Sequence, residues 1–282
     1  MYVVVGATGQ TGGVVARELV KAGKRVIGLT SRDPATVEGV QGVEFRQIDL
    51  RDEDALVALA RESTGFYGMV PPLWAPADYE AAVAPLRAGV AAAAKAAPRA
   101  VVLSSIGAQH PSGTGPIRTL HPLESALEDA EGVTLLRAGY FLENLRSFGE
   151  ALGQGVLPTY WSPETPIEWL DTVTIGERAA ELLLSGGPST VQLTGEAAAP
   201  FSAFAEALTA VLGHEVRSVS MAADAIIEPL QGMGAGEIAT MYAEMNRAMD
   251  TGAIAFEDAL PVERRGPSLE ACLRRVLAPS GH

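Results

Sequence analysis

A glycine-rich turn near the start of the chain has the composition of a phosphate-binding loop. It follows the apolar run 2–5 and consists of Gly6, Ala7, Thr8, Gly9, Gln10, Thr11 and Gly12. Glycines at this spacing allow a tight turn, a close approach of the backbone to phosphate and packing of a helix onto the strand. Free N–H groups and the positive end of the helix dipole then face the phosphates. The turn therefore predicts a dinucleotide pyrophosphate site, with a purely structural turn as the alternative.

The end of the second predicted strand carries a hydroxyl and a guanidinium, on Ser31 and Arg32. A site that prefers NAD usually has Asp or Glu here to bond the ribose 2′-hydroxyl, whereas an NADP site supplies a hydroxyl or an arginine to the 2′-phosphate. Ser31 offers a small donor and Arg32 a planar cation that suits phosphate, while Asp33 comes one residue too late. We therefore predict NADPH as the cofactor. The alternative for Arg32 is a solvated loop charge.

Hydroxyl and proline residues end the next predicted strands. Val70 and Pro71 follow the fourth strand, where they are expected to touch the cofactor or to form a plain structural turn. Ser104 and Ser105 end the fifth strand. A hydroxyl at this place can donate to an oxyanion, or it can bond the backbone at the strand end. We take Ser104 as a cofactor contact and Ser105 as a catalytic candidate.

The segments between these residues follow the βαβ pattern of a parallel sheet, because short β-branched runs alternate with amphipathic stretches. The predicted strands are 2–5, 25–30, 43–48, 66–70, 100–104, 133–136 and 190–194. The predicted helices are 12–23, 52–62, 77–96, 122–130, 172–185 and 201–212. We predict an α/β fold, a doubly wound parallel Rossmann-like sheet with a smaller, mostly helical C-terminal annex.

The domain boundaries follow from a change of pattern. Glycines and prolines make 145–168 an irregular excursion from the sheet, and after about residue 196 helical periodicity dominates. We therefore assign 1–145, together with 170–195, to an NADP-binding domain. Segments 146–169 and 196–282 form the predicted annex on the substrate side.

The composition excludes several classes of protein. The 282 residues are 48% apolar and 20% charged, which is typical of a globular chain, and no stretch of 18 apolar residues suggests a membrane span. The net charge of −13 disfavours sequence-independent binding to nucleic acid. Cys272 is the single cysteine, so no internal disulfide forms. We expect no signal peptide, a cytoplasmic location and a monomer or homodimer. His and carboxylate residues show no metal-ligand spacing.

Several segments resemble the NmrA-like branch of the atypical short-chain dehydrogenase/reductases. After the Gly-Ala-Thr-Gly turn at 6–9, the segment 101–108 resembles that branch's fifth strand and its exit. The segment 134–144 resembles its signature T-L-L-R-P-G-x-F-x-E-N, with alanine where proline is usual. Segments 191–195 and 265–269 resemble its late strand and C-terminal segment. The resemblance covers nearly the whole chain and implies a reductase or a non-catalytic redox sensor.

The resemblance also implies roles for residues outside the glycine turn. It gives Asp49 a bond to the adenine amino group and places Leu50 near the base; the alternative for Asp49 is an N-cap of the next helix. The family's C-terminal annex closes over the substrate. Candidate substrate contacts are therefore Tyr140, Phe141, Met241 and Met245, although a methionine stripe at helical spacing is also typical of a core.

The usual catalytic apparatus of the superfamily is absent from the sequence. None of the six tyrosines has a lysine at the fourth following position, and no lysine occurs after Lys95. His121, which precedes Pro122, is a candidate acid, or an exposed structural histidine. The cofactor carries the hard chemistry, so a quinone or aromatic ketone can tolerate a weak acid such as Ser105, His121 or water.

We therefore predict an NADPH-dependent oxidoreductase that acts on a quinone or a cyclic aromatic ketone. The absence of the lysine also resembles the few lysine-less ketoreductases that tailor aromatic polyketides, which would place the protein in antibiotic biosynthesis. The alternative is a non-catalytic NADP(H) sensor of the NmrA type that reports redox state to a protein partner.

Overall fold

Short apolar strands and amphipathic helices alternate along the protein, as seen in a computed structural model that describes residues 1–278. The strands of this range are β1 Tyr2–Val5, β2 Val26–Thr30, β3 Val43–Gln47, β4 Gly65–Gly68, β5 Ala100–Ser105, β6 Val133–Ala138, β7 Tyr140–Phe141, β8 Val156–Thr159, β9 Pro166–Ile167, β10 Trp169–Leu170, β11 Thr190–Thr194, β12 Ala199–Pro200, β13 Arg217–Ser220 and β14 Val262–Arg264. The α-helices are α1 Gln10–Lys21, α2 Glu53–Arg61, α3 Tyr79–Ala96, α4 His121–Leu127, α5 Gly149–Gly153, α6 Thr172–Ser185, α7 Phe201–Leu212, α8 Ile227–Gly232, α9 Ile238–Thr251 and α10 Leu269–Leu277. The 3₁₀ turns are Pro34–Thr36, Gly115–Leu120, Leu142–Phe148 and Ala223–Ile226.

Eight of these strands form one parallel sheet in the order β14-β11-β6-β5-β4-β1-β2-β3. The six strands from β3 to β6 in this order form a doubly wound dinucleotide-binding sheet, in which the order reverses between β1 and β4. The predicted doubly wound Rossmann-like fold is therefore confirmed. The strand ends after β1, β2, β4 and β5 lie along the same edge of the sheet, because all the strands are parallel.

Helices cover both faces of the sheet and bury its apolar side chains. On one face α1 and α6 pack against each other and on the sheet, through residues such as Leu19, Ile175 and Leu183. The backbones come close here, since a Cβ on Gly176 would lie 2.4 Å from the Cβ of Val14. On the other face α2, α3 and α4 contribute to a second core with residues such as Leu56. A sheet buried on both faces explains its nearly continuous apolar strands.

One strand of the sheet was missed by the sequence analysis. Val262–Arg264 pairs in parallel with β11, with Val262 opposite Gln192 and Arg264 opposite Thr194. This segment therefore extends the main sheet, although it was expected in the helical annex. Three residues that read Val-Glu-Arg are too short to show the period-two alternation by which a strand is recognised.

The remaining segments pack around an aromatic core of their own. Trp161 and Phe201 meet edge to face with ring centroids 4.8 Å apart, and Trp169 and Phe204 meet likewise at 6.2 Å. Cys272 on α10 is buried in the same cluster, and burial raises the pKa of its thiol to about 12. In residues 1–278 no helix has both the length and the apolar character to cross a membrane.

Candidate active site

The glycine turn leads directly from β1 into α1 and leaves the first N–H groups of the helix free. Gly6 has a φ of 67°, which favours glycine, and the N–H of Gly9 donates to the carbonyl oxygen of Gly6 at 2.8 Å. Gly9 is the N-cap residue, and no side chain caps the N–H groups that follow it. These donors lack partners within the helix, and the helix dipole adds a positive potential. The turn therefore fits a pyrophosphate.

Gly12 holds the turn and the helix together by close backbone contact. A Cβ at this position would lie 2.4 Å from the carbonyl oxygen of Gly6 and 2.7 Å from that of Val5. Thr11 is buried beside it, whereas Thr8 and Gln10 are exposed at the surface of the turn. A smaller cavity of about 560 Å³ adjoins the turn and is lined by Thr8, Gly9 and residues of the loop 38–41. The geometry of the turn is compatible with the predicted pyrophosphate site, and the contacts of its residues with a cofactor stay a prediction.

The end of β2 presents Ser31 and Arg32 to solvent beside the turn. The backbone N–H of Arg32 donates to the Thr30 hydroxyl at 3.0 Å, which fixes the course of the chain. The carboxylate of Asp33 accepts from the N–H of Ala35 at 2.9 Å and caps the 3₁₀ turn that follows. The carboxylate of Asp33 is therefore occupied by a backbone N–H of the turn that follows it. The contact of Ser31 and Arg32 with a 2′-phosphate stays a prediction.

Asp49 does not cap the next helix. Its carboxylate accepts from the guanidinium and the backbone N–H of Arg51, and the side-chain hydrogen bond to Arg51 lowers the pKa of Asp49 to about 2. The cap of α2 is Asp52, which accepts from the N–H of Ala55 at 3.1 Å. Asp49 is exposed and Leu50 half-buried after β3, so the adenine contact expected from the resemblance stays a prediction.

A large cavity opens at the carboxyl edge of the sheet, between the sheet and the annex. Its volume is about 1740 Å³, above the roughly 300–1,000 Å³ of usual ligand pockets. Val70 and Pro71 after β4 and Ser105 and Ile106 at the end of β5 form its floor. Its aromatic lining residues are Trp74, Tyr79, Tyr140, Phe141, Phe148, Tyr160, Trp161, Tyr242 and Phe256. The cavity therefore suits a large planar aromatic molecule.

The two serines at the end of β5 have different surroundings. Side chains alternate between the faces of a strand, so Ser104 and Ser105 point apart. Ser104 is buried and its hydroxyl donates to the carboxylate of Glu124, whereas Ser105 lines the large cavity. The structure therefore leaves Ser105 as the candidate for contact with a reacting carbonyl. Ser104 is a structural residue and not the cofactor contact that the sequence suggested.

His121 lines neither the large cavity nor the smaller cavity beside the glycine turn. It is the first residue of α4, which starts behind the cavity wall formed by Thr119 and Leu120. Its Nδ1 atom is buried without a hydrogen-bond partner in this part of the chain. The sequence placed His121 just before a helix, whereas in the structure it is the first residue of α4 and lies outside the lining of the large cavity.

Three of the four expected substrate contacts line the cavity: Tyr140, Phe141 and Met245. Met241 lies one turn earlier on α9, is 3% exposed, and packs in a cluster with Tyr79 and Ile238. The core interpretation is therefore right for Met241 and the pocket interpretation for Met245. Helix geometry explains the difference, since residues four apart share a face but lie about 6 Å apart along the axis.

The cavity contains phenols that remain protonated at neutral pH. Burial raises the pKa of Tyr140, and a hydrogen bond with Asn144 offsets only part of this effect. Burial also raises the pKa of Tyr242 and of Tyr79. A neutral phenol is a hydrogen-bond donor, so these side chains offer donors within an apolar wall. Tyr242 belongs to the helical stripe for which the sequence left core and pocket wall open, whereas sequence reasoning missed Tyr79, because aromatic residues on helices usually belong to a core.

The wall formed by segment 252–260 is held by polar side chains from the sheet region. Gln192 on β11 donates to the carbonyl oxygens of Glu257 and Leu260 and accepts from the N–H of Glu257 at 2.7 Å. The amide of Gln109 donates to the carbonyl oxygen of Ala255 at 2.8 Å. Arg137 on β6 pairs with both Glu124 and Glu257. The buried polar groups of the sheet therefore fix one side of the cavity.

The family model described as the NmrA-like family matches residues 2–263. The chain belongs to the NmrA-like family. It is 28% identical over 247 residues to an NAD(P)H azoreductase of Xenophilus azovorans, covering 84% of this chain and 82% of that protein.

Solved structures of the same fold agree with this assignment. The NADPH-dependent quinone oxidoreductase of Escherichia coli, complexed with NADPH, is 25% identical with a TM-score of 0.75 and 92% of each chain covered. The triphenylmethane reductase of Citrobacter sp., complexed with NADP(H), is 20% identical with a TM-score of 0.77, covering 98% of this chain and 100% of that one. The second likeness concerns the fold alone.

The glycine turn of this NmrA-like protein offers a sharp test of the dinucleotide site. Gly12→Ala is expected to weaken NADPH binding by about tenfold or more, since the added methyl group meets backbone oxygens that cannot move independently. Gly13→Ala is the matched control, because its Cβ would lie 3.4 Å from the carbonyl oxygen of Ala7, an ordinary contact. Fluorescence titration with NADPH measures both, with circular dichroism as the check on folding. Equal affinities of the two variants would contradict this assignment.

Proposed function

We propose that this protein is an NADPH-dependent reductase that transfers hydride to a quinone or a cyclic aromatic ketone. The observation that carries the proposal is the large aromatic cavity at the carboxyl edge of the sheet, the same edge at which the glycine turn after β1 presents free helix N–H groups. In doubly wound sheets the ligand crevice lies at this edge, where the strand order reverses. An acceptor in the cavity would therefore meet the nicotinamide of a cofactor held by the turn.

Different residues of the chain bind the cofactor and orient the acceptor. The turn 6–12 holds the pyrophosphate, and Ser31 and Arg32 hold the 2′-phosphate that distinguishes NADPH from NADH. When bound, NADPH supplies the hydride. Val70 and Pro71 line the floor beside the cofactor, and the aromatic walls exclude water and orient a planar acceptor.

Ser105 takes the place of the missing tyrosine and lysine as a hydrogen-bond donor to the acceptor oxygen. Its hydroxyl lines the cavity and donates to the carbonyl oxygen of Ile106 at 3.1 Å, a weak bond that an acceptor oxygen could replace. A quinone delocalises the charge that develops on its oxygen, so a hydroxyl of ordinary acidity and a proton from water are sufficient. This explains how a reductase functions without Tyr-x-x-x-Lys.

The relatives support an aromatic acceptor. The names of the azoreductase and of the quinone oxidoreductase refer to azo compounds and quinones, both of which are conjugated hydride acceptors. A polycyclic ketone of aromatic polyketide tailoring is the narrower possibility that the sequence suggested, and it would place the protein in antibiotic biosynthesis. A single cysteine suits a reducing compartment such as the cytoplasm. The division into a cofactor part and an annex stays a proposal, with Val262–Arg264 assigned to the cofactor part because it extends the main sheet.

The direct test measures NADPH absorbance with a panel of quinones and polycyclic aromatic ketones. A reductase oxidises NADPH with at least one member of the panel, because a cavity of this volume leaves room for the acceptor. Tight binding of NADPH without oxidation by any member would overturn the proposal and favour a redox sensor. Limited proteolysis with NADPH and NADP⁺ would then report whether the annex responds to the redox state.

The preference for NADPH depends on Arg32. Arg32→Ala is expected to raise the Kd for NADPH about tenfold and to leave the Kd for NADH unchanged, since only NADPH carries the 2′-phosphate. Arg25→Ala is the control, because Arg25 precedes β2 at the opposite end of the strand and pairs with Glu44. Titration of both coenzymes gives the ratio of dissociation constants. Equal binding of NADPH and NADH by the unchanged protein would remove the basis of this assignment.

A kinetic experiment distinguishes the proposed role of Ser105 from that of His121. Ser105→Ala is expected to lower kcat about tenfold to a hundredfold with the best quinone, because a donor to the developing oxyanion is lost. His121→Gln is expected to leave kcat within about twofold, since this side chain does not line the cavity. A large loss in His121→Gln with little change in Ser105→Ala would show that the roles are reversed.

A further inference from the structure

Arginine side chains without a partner in the protein are rare in this molecule. Acidic residues outnumber basic residues by 34 to 21, so carboxylate partners are plentiful. Most arginines pair with a carboxylate, as Arg25 does with Glu44, and others donate to carbonyl oxygens, as Arg99 does. Within residues 1–278, the guanidinium groups with neither an ion pair nor a hydrogen bond are those of Arg17, Arg32 and Arg61.

Two of these three arginines lie beside the glycine turn. Arg61 is the last residue of α2, where the negative end of the helix dipole favours a cation. Arg32 follows β2 next to the turn, and Arg17 lies on α1, the helix that the turn begins. Both Arg17 and Arg32 are exposed. The end of the sheet that would hold the cofactor therefore has two guanidinium groups available to an anion.

The side chain of Arg17 extends toward the start of α1, against the helix dipole. Arg17 follows Gly13 by one helical turn, and a Cβ on Gly13 would lie 3.7 Å from the Nη1 atom of Arg17. A cation near a helix N-terminus is disfavoured, because that end already carries a positive potential. In the described part of the chain no carboxylate offsets this repulsion. An anion bound at this place would offset it.

Arg17 lines the smaller cavity beside the turn. The other walls are Ala7, Thr8 and Gly9 of the turn and the loop 38–41. Two further charged residues line it, Lys21 and Glu38. Lys21 pairs with Glu18 at 2.7 Å, whereas Glu38 is exposed and has no ion pair within residues 1–278. Arg17 is therefore the cation of this cavity that remains available to a ligand.

The strand order places the smaller cavity on the adenosine side of the predicted cofactor site. The large cavity has its floor after β4 and β5, on one side of β1, whereas the loop 38–41 precedes β3 on the other side. In doubly wound sheets the adenosine ribose of a dinucleotide lies near the end of β2. The 2′-phosphate of NADPH, which is attached to this ribose, therefore belongs on the side of the smaller cavity.

We propose that Arg17 is a second determinant of the preference for NADPH and binds the 2′-phosphate at the smaller cavity together with Arg32. The inference rests on the NADPH site of the function proposed above. A phosphate monoester carries a charge of about −2 at neutral pH, so two guanidinium groups match it better than one. The carboxylate of Glu38 on the loop wall opposes the phosphate and moderates the affinity.

Substitution of Arg17 tests the proposal by equilibrium binding. Arg17→Met removes the charge and keeps an apolar side chain of similar reach. It is expected to raise the Kd for NADPH about fivefold to tenfold and to leave the Kd for NADH within about twofold, since only NADPH carries the 2′-phosphate. Fluorescence titration with both coenzymes gives these constants. An unchanged Kd for NADPH, or an equal rise for both coenzymes, would overturn the proposal.

Two further variants make the assignment specific. Arg61→Met is the matched control, because Arg61 is also exposed and has no ion pair in the described residues but lies at the end of α2, on the opposite face of the sheet. It is expected to leave both constants unchanged. Arg17→Met combined with Arg32→Ala is expected to bind NADPH and NADH equally. A double variant that retained the full preference would contradict the assignment.

The carboxylate of Glu38 gives a test with the opposite sign. Glu38→Gln is expected to lower the Kd for NADPH about twofold and to leave the Kd for NADH unchanged, because it removes a charge that repels the 2′-phosphate. High ionic strength is expected to reduce the effects of Arg17→Met and Glu38→Gln together, since both side chains are exposed. Weaker binding of NADPH by Glu38→Gln would place the phosphate away from this cavity and overturn the proposal.

Chemical protection tests the same contact in the unchanged protein. Phenylglyoxal modifies accessible guanidinium groups, and mass spectrometry of peptides measures the modification of Arg17, Arg32 and Arg61 separately. Saturation with 2′,5′-ADP is expected to protect Arg17 and Arg32 more than saturation with 5′-AMP does, and to leave Arg61 unprotected. Equal modification of Arg17 with either nucleotide would overturn the proposal.

These measurements separate the inference from the proposed function, because neither requires turnover. A preference for NADPH that depends on Arg17, together with no oxidation of NADPH by any quinone or ketone, would support the inference and overturn the reductase. Oxidation of NADPH by a quinone with the same Kd for NADPH in the unchanged protein and in Arg17→Met would retain the reductase and overturn the inference.

Discussion

The close contact between the backbone of α1 and the end of β1 is the constraint on which the rest of the molecule depends. At Gly12 the helix lies against the carbonyl oxygens of Val5 and Gly6 with no room for a side chain. This contact aims the free N–H groups of the helix at the edge of the sheet. It also brings Val14 onto Gly176, so α1 and α6 pack together over the same face. The phosphate site and the packing of one face therefore share a single geometric requirement.

The fold also requires close backbone contacts between the annex and the end of the sheet at several points. Gly139 and Gly195 allow this, because a Cβ on either would lie within 3 Å of the backbone oxygen of Glu168 or Trp169. The N–H of Gly195 donates to the carbonyl oxygen of Trp169 at 2.6 Å, and that of Tyr140 donates to Glu168 at 2.7 Å. The strands β7 and β10 pair here beside the main sheet. The cavity is therefore bounded by two cores that meet along a narrow backbone contact.

The sequence predicted those features that depend on neighbours in the chain. The glycine turn, seven strands and the order of helices follow from local spacing and periodicity. β14 could not be found, because its pairing with β11 depends on a contact between residues about 70 apart. For the same reason the hydrogen bond from the backbone N–H of Ser162 to the carboxylate of Asp250 could not be predicted, since the two residues are 88 apart in the chain.

Other site residues were misplaced because their roles depend on how an element docks. Period-two alternation alone would have separated Ser104 from Ser105, but it does not say which serine faces the cleft. His121 was rightly placed at a helix start, yet the direction of α4 is set by Leu123 and Leu127 in the core. Met241 and Met245 share a helix face, and only the position of α9 over the cavity distinguishes them. Local propensity predicts the helices and strands, whereas the packing of these elements determines which side chains contact a ligand.

The cavity persists because its loop wall is anchored by buried polar groups. Segment 252–260 has no hydrogen-bonded strand partner of its own, so its backbone groups need other partners, which Gln192 and Gln109 supply. Arg137 forms charge-assisted hydrogen bonds with Glu257 and with the buried Glu124, so one guanidinium holds two carboxylates. A buried ion pair contributes little net stability compared with an apolar replacement, but it holds its members to one geometry.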